Sequence, residues 1–241
     1  MTNELDVTIV VPCLNEERRI VATLETIRQA MAEFPYSHEI LVIDDGSTDR
    51  TGAVVEEYRR THPEIDLTLK SNRKNVGLAT SYVNGSFLGR GKYYKMVCGD
   101  NVEPKETIAA FFRHLGRADI IIAYLESVEG KSALRKGVSK LYTFLVNSIS
   151  GHRIRYYNGG ALHLRYNVMR WGPYSFGFGF QAELITRLLD ESASYIEIPV
   201  TATHEEKRGV DNAINWRNFL SVTHTLLELS IRRIRRRAIG R

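Results

Sequence analysis

Cysteine, proline and long apolar runs are scarce in this 241-residue sequence, which has two cysteines and six prolines. Cys13 and Cys98 cannot form the disulfide framework of small secreted domains, and neither has a metal-ligand spacing. No segment approaches the ~20 apolar residues of a membrane-spanning helix. The polar start runs directly into a predicted strand, so we expect no signal peptide. These absences favour a cytoplasmic protein that is not integral to a membrane.

Several common site motifs are also missing. There is no G-x-x-x-x-G-K-[ST] phosphate loop, and no G-x-G-x-x-G follows a predicted strand. H-E-x-x-H and G-x-S-x-G do not occur either. A nucleotide or metal site must therefore be built from other residues.

Charge is modest overall but unevenly distributed. The formal net charge is +5, yet nine lysines and arginines follow residue 206, six of them within 232–241. A basic end predicts an anionic partner, either a membrane surface or nucleic acid. The length fits one large domain, or one domain with a long appendage.

Apolar runs alternate with amphipathic stretches along the first half of the chain. Strands are predicted at residues 7–11, 40–43, 67–69, 93–97 and 119–124, and later at 195–200, ending at Pro199. Helices are predicted at residues 20–34, 51–60, 104–115, 134–149 and 181–189. Residues 151–179 are rich in glycine and aromatics, which predicts a binding loop or lid. The alternation predicts a parallel sheet with helices on both faces.

Acidic and amide side chains follow three of the predicted strands. The three pairs are Asn15-Glu16, Asp44-Asp45 and Asp100-Asn101. In an open α/β sheet such strand ends line one crevice, and Mg²⁺ or Mn²⁺ is held there by carboxylates plus phosphate oxygens. This predicts a nucleotide-diphosphate site. Asn15 is expected to cap the first helix, and Gly46 to supply a turn. A plainer alternative is that Asp44 and Asp45 only cap a helix and make that turn.

Five sequence blocks, in order and spacing, resemble glycosyltransferase family 2. They read VVPCLNEE (10–17), VIDDGSTD (42–49), NVGLA (75–79), GFQAEL (179–184) and IEIPV (196–200). An Arg208-Gly209 loop before a basic helix agrees with them. The resemblance covers roughly residues 6–215 and is to the branch that transfers sugars to polyprenyl phosphates, such as dolichyl-phosphate mannose synthase. It implies one Rossmann-like GT-A domain at 1–215, with a mostly parallel sheet flanked by helices, and a basic amphipathic helix at 216–241.

The resemblance also implies site residues. Those implied for nucleotide binding are Pro12, Leu14, Asn15, Glu16, Asp44, Asp45, Lys74, Gly77, Gly99 and Asp100. Asp100 is the implied ligand of a divalent cation, Mg²⁺ or Mn²⁺. Gln181 and Glu183 match the acceptor-side motif, and Arg208 falls near a mobile loop that closes on the diphosphate. The implied catalytic residues are Asp100, Glu183 and Arg208.

The metal motif departs from the family pattern. Cys98-Gly99-Asp100 stands where the family has Asp-x-Asp, so the first carboxylate is missing, and Val102 replaces a frequent glutamine. Metal binding is then expected to be weaker or shared with Asn101 and Glu103. His204 is a further candidate for the metal shell, against the plainer reading of a solvated loop histidine.

The implied reaction is an inverting displacement by a hexosyltransferase. A cation with Arg208 or Lys207 would stabilise the leaving diphosphate. A hydroxyl acceptor needs a base, for which Glu183 is the candidate, whereas an ionised lipid phosphate needs none and Glu183 would orient it. The alternative for Glu183 is an ordinary exposed helix residue.

The basic tail predicts the remaining partners. Trp216, Leu220, Leu227, Ile231 and Ile234 share one helix face and arginines the other, which is typical of a helix in a membrane interface. The alternative is that this apolar face packs on the domain. We expect a peripheral protein on the inner face of the membrane, no nucleic-acid binding because no basic stripe with aromatics runs through the body, and a possible homo-oligomer. The functional alternatives are a glycan or other hydroxyl acceptor in cell-envelope polysaccharide synthesis, and a nucleotide-sugar-binding protein without catalysis.

Overall fold

The structure is a computed structural model that describes residues 5–127, 133–170, 179–201 and 216–239. Its strands are β1 (Leu5–Cys13), β2 (His38–Asp44), β3 (Leu67–Ser71), β4 (Gly91–Met96), β5 (Ile120–Ser127), β6 (Ala161–Leu164) and β7 (Tyr195–Thr201). Its helices are α1 (Ile20–Met31), α2 (Thr51–Thr61), α3 (Leu78–Leu88), α4 (Lys105–Phe112), α5 (Ala133–Ser150), α6 (Arg165–Met169), α7 (Phe180–Asp190) and α8 (Trp216–Ile239).

Seven strands form one sheet in the order β3-β2-β1-β4-β6-β5-β7. The first four of these strands in the order are parallel, and β7 is parallel to β5. Only β6, among the strands described, is antiparallel to both of its neighbours. The predicted α/β domain with a mostly parallel sheet is confirmed.

Two hydrophobic cores cover the two faces of the sheet. Helices α1, α2 and α4 pack on one face, where Ile20, Leu24 and Ile27 repeat at helical spacing and are fully buried. Helices α3, α5, α6, α7 and α8 contribute buried residues to the other face. Strand β1 is apolar on both faces because both are covered. This explains the continuous apolar run from which the sequence predicted it.

Strand β6 and helix α6 lie inside the segment that was predicted to lack regular structure. The prediction is wrong for residues 161–169, and residues 171–178 lie outside the described part. β6 has four residues, which is too few to display a periodic pattern. Its place in the sheet follows from long-range pairing, since His163 lies opposite Tyr94 on one side and Ile120 on the other.

Proline lies inside β7 rather than at its end. Pro199 pairs in register with Tyr124, and the strand continues to Thr201. β7 is the last strand of the sheet order, and an edge position tolerates a residue with no amide hydrogen to donate. The predicted end of this strand at Pro199 is therefore wrong.

The long helix α5 presents a different face to the core from the one that its leucines predicted. Tyr142 and Val146 are buried, whereas Val138 and Leu141, on the predicted apolar face, are exposed. Helix α8 packs against α5 and α7, and its Leu229 is buried in the core. None of the described helices has the length and apolar content needed to cross a membrane. The division into units at 1–215 and 216–241 stays a prediction.

Candidate active site

A cleft with about 520 Å³ of open space lies at the carboxyl ends of β1, β2 and β4. It is lined by Pro12, Cys13, Leu14, Glu16, Asp45, Asn75, Gly77, Leu78, Cys98, Gly99 and Asp100. Seven of the ten residues predicted to bind nucleotide are in this set, and Asn15, Asp44 and Lys74 are not. The predicted convergence of the three strand ends is confirmed, while the roles of the individual residues stay predictions.

Asn15 ties two loops together at the rim of this cleft. Its side-chain oxygen accepts a hydrogen bond from the Thr48 backbone N–H at 2.9 Å, and its own N–H donates to the Ser47 hydroxyl at 2.9 Å. Its φ of 58° is left-handed, a region that asparagine tolerates better than most residues. Helix α1 begins at Ile20 with Arg19 in the cap position, so the prediction that Asn15 caps α1 is wrong.

Asp45 holds the loop that leads into α3. Its carboxylate accepts hydrogen bonds from the Asn72 amide at 2.8 Å and from the backbone N–H groups of Val76 at 3.0 Å and Gly77 at 2.9 Å. The side chain is 5% exposed. Asp45 therefore shapes the cleft wall by fixing Gly77 at the start of α3, and both of its oxygens are engaged.

Asp44 has the role of a turn residue. It is buried, and its Oδ1 accepts from the Ser47 N–H at 3.0 Å. Gly46 between them has a φ of 79°, and a Cβ there would lie 2.7 Å from the Lys74 carbonyl carbon. This contact agrees with the alternative that Asp44 makes the turn, whereas Asp45 lines the cleft, and the nucleotide-binding role of Asp44 stays a prediction. The Lys74 side chain is exposed beside the turn.

Gly99 allows β4 and β1 to approach closely where Asp100 enters the cleft. A Cβ on Gly99 would lie 2.6 Å from the Cys13 Cβ, a distance that no side chain permits. The Gly99 N–H donates to the Pro12 carbonyl at 3.0 Å, and its carbonyl accepts from the Thr23 hydroxyl at 3.0 Å. Asp100 follows directly and is half-buried at the cleft wall.

Negative charge accumulates in the cleft. Burial raises the pKa of Glu16, its ion pair with Arg19 at 2.7 Å opposes this, and the Asp100 carboxylate raises it further. Burial raises the pKa of the Cys98 thiol to about 12, with Asp100 and Glu103 adding to the effect. Cys98 is therefore a neutral thiol at pH 7, and it does not replace the charge of the missing carboxylate.

Asn101 and Glu103, the residues predicted to share a metal, are engaged elsewhere. Both Glu103 oxygens accept from the Lys95 ammonium, at 2.8 and 3.0 Å, and the ammonium lies 4.4 Å from the centre of the Phe111 ring. Lys95 is fully buried, so Glu103 is required to balance its charge. The Asn101 side-chain oxygen accepts from the Thr26 hydroxyl at 3.0 Å. These contacts do not support a metal shared by the two residues, and that expectation stays a prediction.

Asp100 remains the carboxylate that fits a divalent cation. Within the described ranges there is no group of three or more histidine, cysteine, aspartate or glutamate side chains placed to hold a metal alone. Mg²⁺ needs only one or two carboxylates when phosphate oxygens complete its shell. The donor set therefore fits a cation that arrives with a diphosphate, and Asp100 would hold it.

Gln181 and Glu183 lie in the first turn of α7. Only residues 191–194 separate α7 from β7, which is parallel to β5, so α7 ends at the amino edge of these strands and its first turn faces the carboxyl edge. Glu183 is 3% exposed, and its Oε2 has no hydrogen-bond partner among the residues described. The alternative of an ordinary exposed helix glutamate is wrong.

Three further buried polar side chains surround this turn, and sequence reasoning missed them. Tyr82 on α3 contacts the Phe180 ring with centroids 5.4 Å apart. Burial raises the pKa of Tyr142 on α5, to which the Glu183 charge also contributes. His163 on β6 is fully buried, which lowers its pKa to about 4, and the Gln181 amide beside it acts in the opposite direction. The sequence offered one signal for this polar cluster. Tyr142 lies in the predicted helix at residues 134–149 and directly follows Leu141 of its predicted apolar face.

Arg208, Lys207 and His204 lie outside the described residues. Their predicted roles on the diphosphate and in the metal shell stay predictions.

The sequence profile of glycosyl transferase family 2 matches residues 8–173 of this chain. The chain belongs to glycosyl transferase family 2. Curated relatives include a dodecaprenyl-phosphate galacturonate synthase of Rhizobium johnstonii, 26% identical over 69% of this chain and 49% of that protein. A dolichyl-phosphate beta-glucosyltransferase of Trichomonas vaginalis is 27% identical over 82% of this chain and 64% of that protein. The resemblance to the polyprenyl-phosphate branch is thereby confirmed, and the chain spans half to two thirds of these relatives.

Solved structures share the fold. A mannosyltransferase from Pyrobaculum calidifontis in complex with GDP-Man and Mn²⁺ superposes with a TM-score of 0.69 at 21% identity, over 96% of this chain and 65% of that chain. Glucosyl-3-phosphoglycerate synthase from Mycobacterium tuberculosis in complex with UDP gives a TM-score of 0.67 at 17% identity, over 94% and 80%. These comparisons confirm the predicted GT-A fold.

Proposed function

We propose that this family-2 chain transfers a sugar from a nucleotide-diphosphate sugar to a polyprenyl phosphate with inversion at the anomeric carbon. The observation that carries the proposal is the cleft, in which Glu16, Asp45 and Asp100 come from three strand ends to one wall. The names of the curated relatives, a dodecaprenyl-phosphate galacturonate synthase and a dolichyl-phosphate beta-glucosyltransferase, support the acceptor class.

The nucleotide would occupy the part of the cleft between β1 and the start of α3. Pro12 and Leu14 supply an apolar wall for a base, and Gly77 leaves room beside it because it has no side chain. Asp45 keeps Gly77 in place. Glu16 faces the same space and offers an acceptor for ribose hydroxyls.

The diphosphate would lie at Asp100 together with a divalent cation, Mg²⁺ or Mn²⁺. The cation supplies neutralisation of the charge that develops on the leaving diphosphate. Desolvation and the Asp100 charge raise the pKa of Glu16, so this wall favours a positive ion beside it. The related mannosyltransferase structure from Pyrobaculum calidifontis contains Mn²⁺ together with GDP-Man, which supports this choice. Arg208 is proposed to stabilise the diphosphate as well.

The acceptor would approach from the side of Gln181 and Glu183. A polyprenyl phosphate carries an ionised oxygen at neutral pH, because the second pKa of a phosphate monoester is about 6. This oxygen forms the new bond to the anomeric carbon while the bond to the diphosphate breaks. No base is needed, so Glu183 orients the acceptor or the sugar hydroxyls.

A lipid acceptor requires contact with a membrane, and two neighbouring helices offer a surface for it. The contacting helices α5 and α8 expose large apolar side chains. These are Val138, Leu141, Phe144, Leu227, Ile231 and Ile234. Lys140 and Arg235 are exposed on the same helices, and basic residues near an anionic surface contribute about 1 kcal/mol each. We propose that the protein binds the inner face of a membrane through this surface.

A thermal-shift screen with a panel of nucleotide sugars, each with and without Mn²⁺, tests the donor side. The proposal expects one nucleotide class to raise the Tm only when Mn²⁺ is present, and expects Asp100→Asn to remove this metal dependence. A protein that responds to none of the donors would contradict the proposal. Transfer to a soluble glycan but not to a polyprenyl phosphate would replace the acceptor class and restore Glu183 as a base.

A further inference from the structure

Helix α8 contacts α7, the helix that carries Gln181 and Glu183, at two places. At the start of α7, Gly179 lies against Thr225 of α8, and a Cβ on Gly179 would be 1.9 Å from the Thr225 hydroxyl oxygen. At the end of α7, Asp190 accepts from the Arg232 guanidinium of α8 at 3.3 Å and lies 3.0 Å from the His152 ring. Thr225 is fully buried, so the two helices are closely packed at this contact.

A chain of hydrogen bonds leads from α8 to the backbone of Glu183. The Arg232 guanidinium donates to the Thr186 hydroxyl at 2.6 Å. The single proton of that hydroxyl is shared between the carbonyl oxygens of Ala182 at 2.7 Å and Glu183 at 3.1 Å. Thr186 is fully buried, and a charged donor strengthens such bonds. The position of the first turn of α7 is therefore linked to α8 through one arginine.

We infer that Arg232 is a positioning residue for the acceptor side of the active site. This inference rests on the proposed function. Arg232 is not among the residues that line the cleft. Its contacts on α7, Thr186 and Asp190, lie about one and two helical turns beyond Glu183. It fixes the turn that presents Gln181 and Glu183, and it ties that turn to the helix whose outer face is the proposed membrane surface. Acceptor delivery and acceptor alignment then depend on the same rigid contact.

The neighbouring Arg233 provides a matched control. It is also part-buried on α8, but its guanidinium donates to the Ser150 carbonyl at the end of α5 and makes no described contact with α7. Arg232→Gln and Arg233→Gln both remove one arginine that docks α8. Only Arg232→Gln removes the chain to Glu183.

Loss of the Arg232 chain is expected to lower catalysis and to leave donor binding unchanged. Arg232→Gln should lower kcat of sugar transfer by roughly tenfold or more, because small misplacements of aligned groups cost up to about 10²-fold. The KM for the donor should stay within about twofold. Arg233→Gln should leave both constants within about twofold. Thr186→Val should reproduce the Arg232→Gln effect, and the double variant should lose no more than either single variant, because both remove one chain.

Hydrogen exchange supplies a readout that does not depend on activity. In Arg232→Gln the amides of residues 182–187 should exchange faster than in the unsubstituted protein, and in Arg233→Gln they should not. Equal effects of the two substitutions on exchange and on kcat would overturn the inference, because Arg232 would then only dock α8. If the unsubstituted protein transfers no sugar, the proposed function fails, while the exchange comparison still decides the positioning role.

Discussion

At the scale of single residues, the two adjacent aspartates have different roles. Asp44 stabilises a turn, whereas Asp45 is a buried acceptor for one amide and two backbone N–H groups. The sequence presents them as equivalent, because both follow the same apolar strand. Only the fold, which brings residues 72–77 against β2, separates them.

Asp45→Ala should destabilise the protein by about 2–3 kcal/mol, since it leaves buried donors without an acceptor. Nucleotide affinity should also fall, because the loop that carries Gly77 loses its anchor. Urea unfolding and calorimetry with the preferred nucleotide measure the two effects. Asp45→Asn keeps one acceptor oxygen and should lose less of both. A stability unchanged in Asp45→Ala would contradict the structural role described here.

Substitution of Asp100 should have little effect on stability, because this residue is half-buried and the hydrogen bond that its carboxylate accepts from the Val102 N–H, at 3.3 Å, is long. Asp100→Asn should leave the free energy of unfolding within about 0.5 kcal/mol and remove the Mn²⁺ dependence of nucleotide binding. Glu103→Gln is the control, since it leaves the buried Lys95 without its counter-charge and should cost about 3 kcal/mol without changing the metal response. Nucleotide affinity that is indifferent to a chelator in the unsubstituted protein would refute the metal role.

The cysteine thiols give a pH prediction. Burial and nearby carboxylates raise the pKa of Cys13 and Cys98 from 9.0 to about 12. Between pH 9 and pH 12 the thiols therefore stay protonated in the folded state but lose their protons in the unfolded state. Their contribution to the free energy of unfolding should be fully present below pH 9 and should be lost as the pH rises toward 12. Alkylation at pH 8 should be slow in the folded protein and fast in urea. Rapid alkylation of the folded protein at pH 8 would contradict the raised values.

At the scale of elements, strands β1 to β5 and helices α1, α2 and α7 could be predicted from the sequence. Their apolar runs and helical spacing are long enough to identify them, and family blocks mark the loops between them. β6 could not be predicted, because four residues carry no period and its place depends on pairing with β4 and β5. The buried face of α5 could not be predicted either, since its leucines share one face whereas the buried Tyr142 and Val146 lie on the neighbouring one. The polar cluster around Glu183 is formed by residues far apart in sequence.

The outward faces of α5 and α8 lead to a prediction at this scale. Phe144→Ser and Ile234→Ser replace side chains that are 65% and 66% exposed, so they should lower binding to anionic vesicles without lowering the Tm. Raising the salt should weaken the remaining binding, because headgroup attraction is screened over ~8 Å at physiological ionic strength. Deletion of residues 231–241 is a poorer test, since it also removes Arg232 and Arg233, which dock on the domain. Equal flotation of the substituted and unsubstituted proteins at low salt would refute the membrane surface.

At the scale of the whole molecule, the candidate donor cleft and the proposed acceptor side are built from different elements. The donor cleft is built from β1, β2 and β4 and their following loops, whereas the proposed acceptor side is built from α7 with α5 and α8 behind it. Strands β4 and β6 join the two, with Lys95 and His163 buried near their contact. Under the proposed function, one side of the chain would bind a water-soluble donor and the other would approach a lipid.

The most direct test of the account is a transfer assay with a polyprenyl phosphate, the donor class identified by thermal shift, and Mn²⁺, read by mass spectrometry of the lipid product. We expect the unsubstituted protein to form a polyprenyl phosphate that has gained one sugar, and we expect Asp100→Asn to form none. No glycosylated lipid from any nucleotide sugar, with a folded protein that binds vesicles, would contradict it.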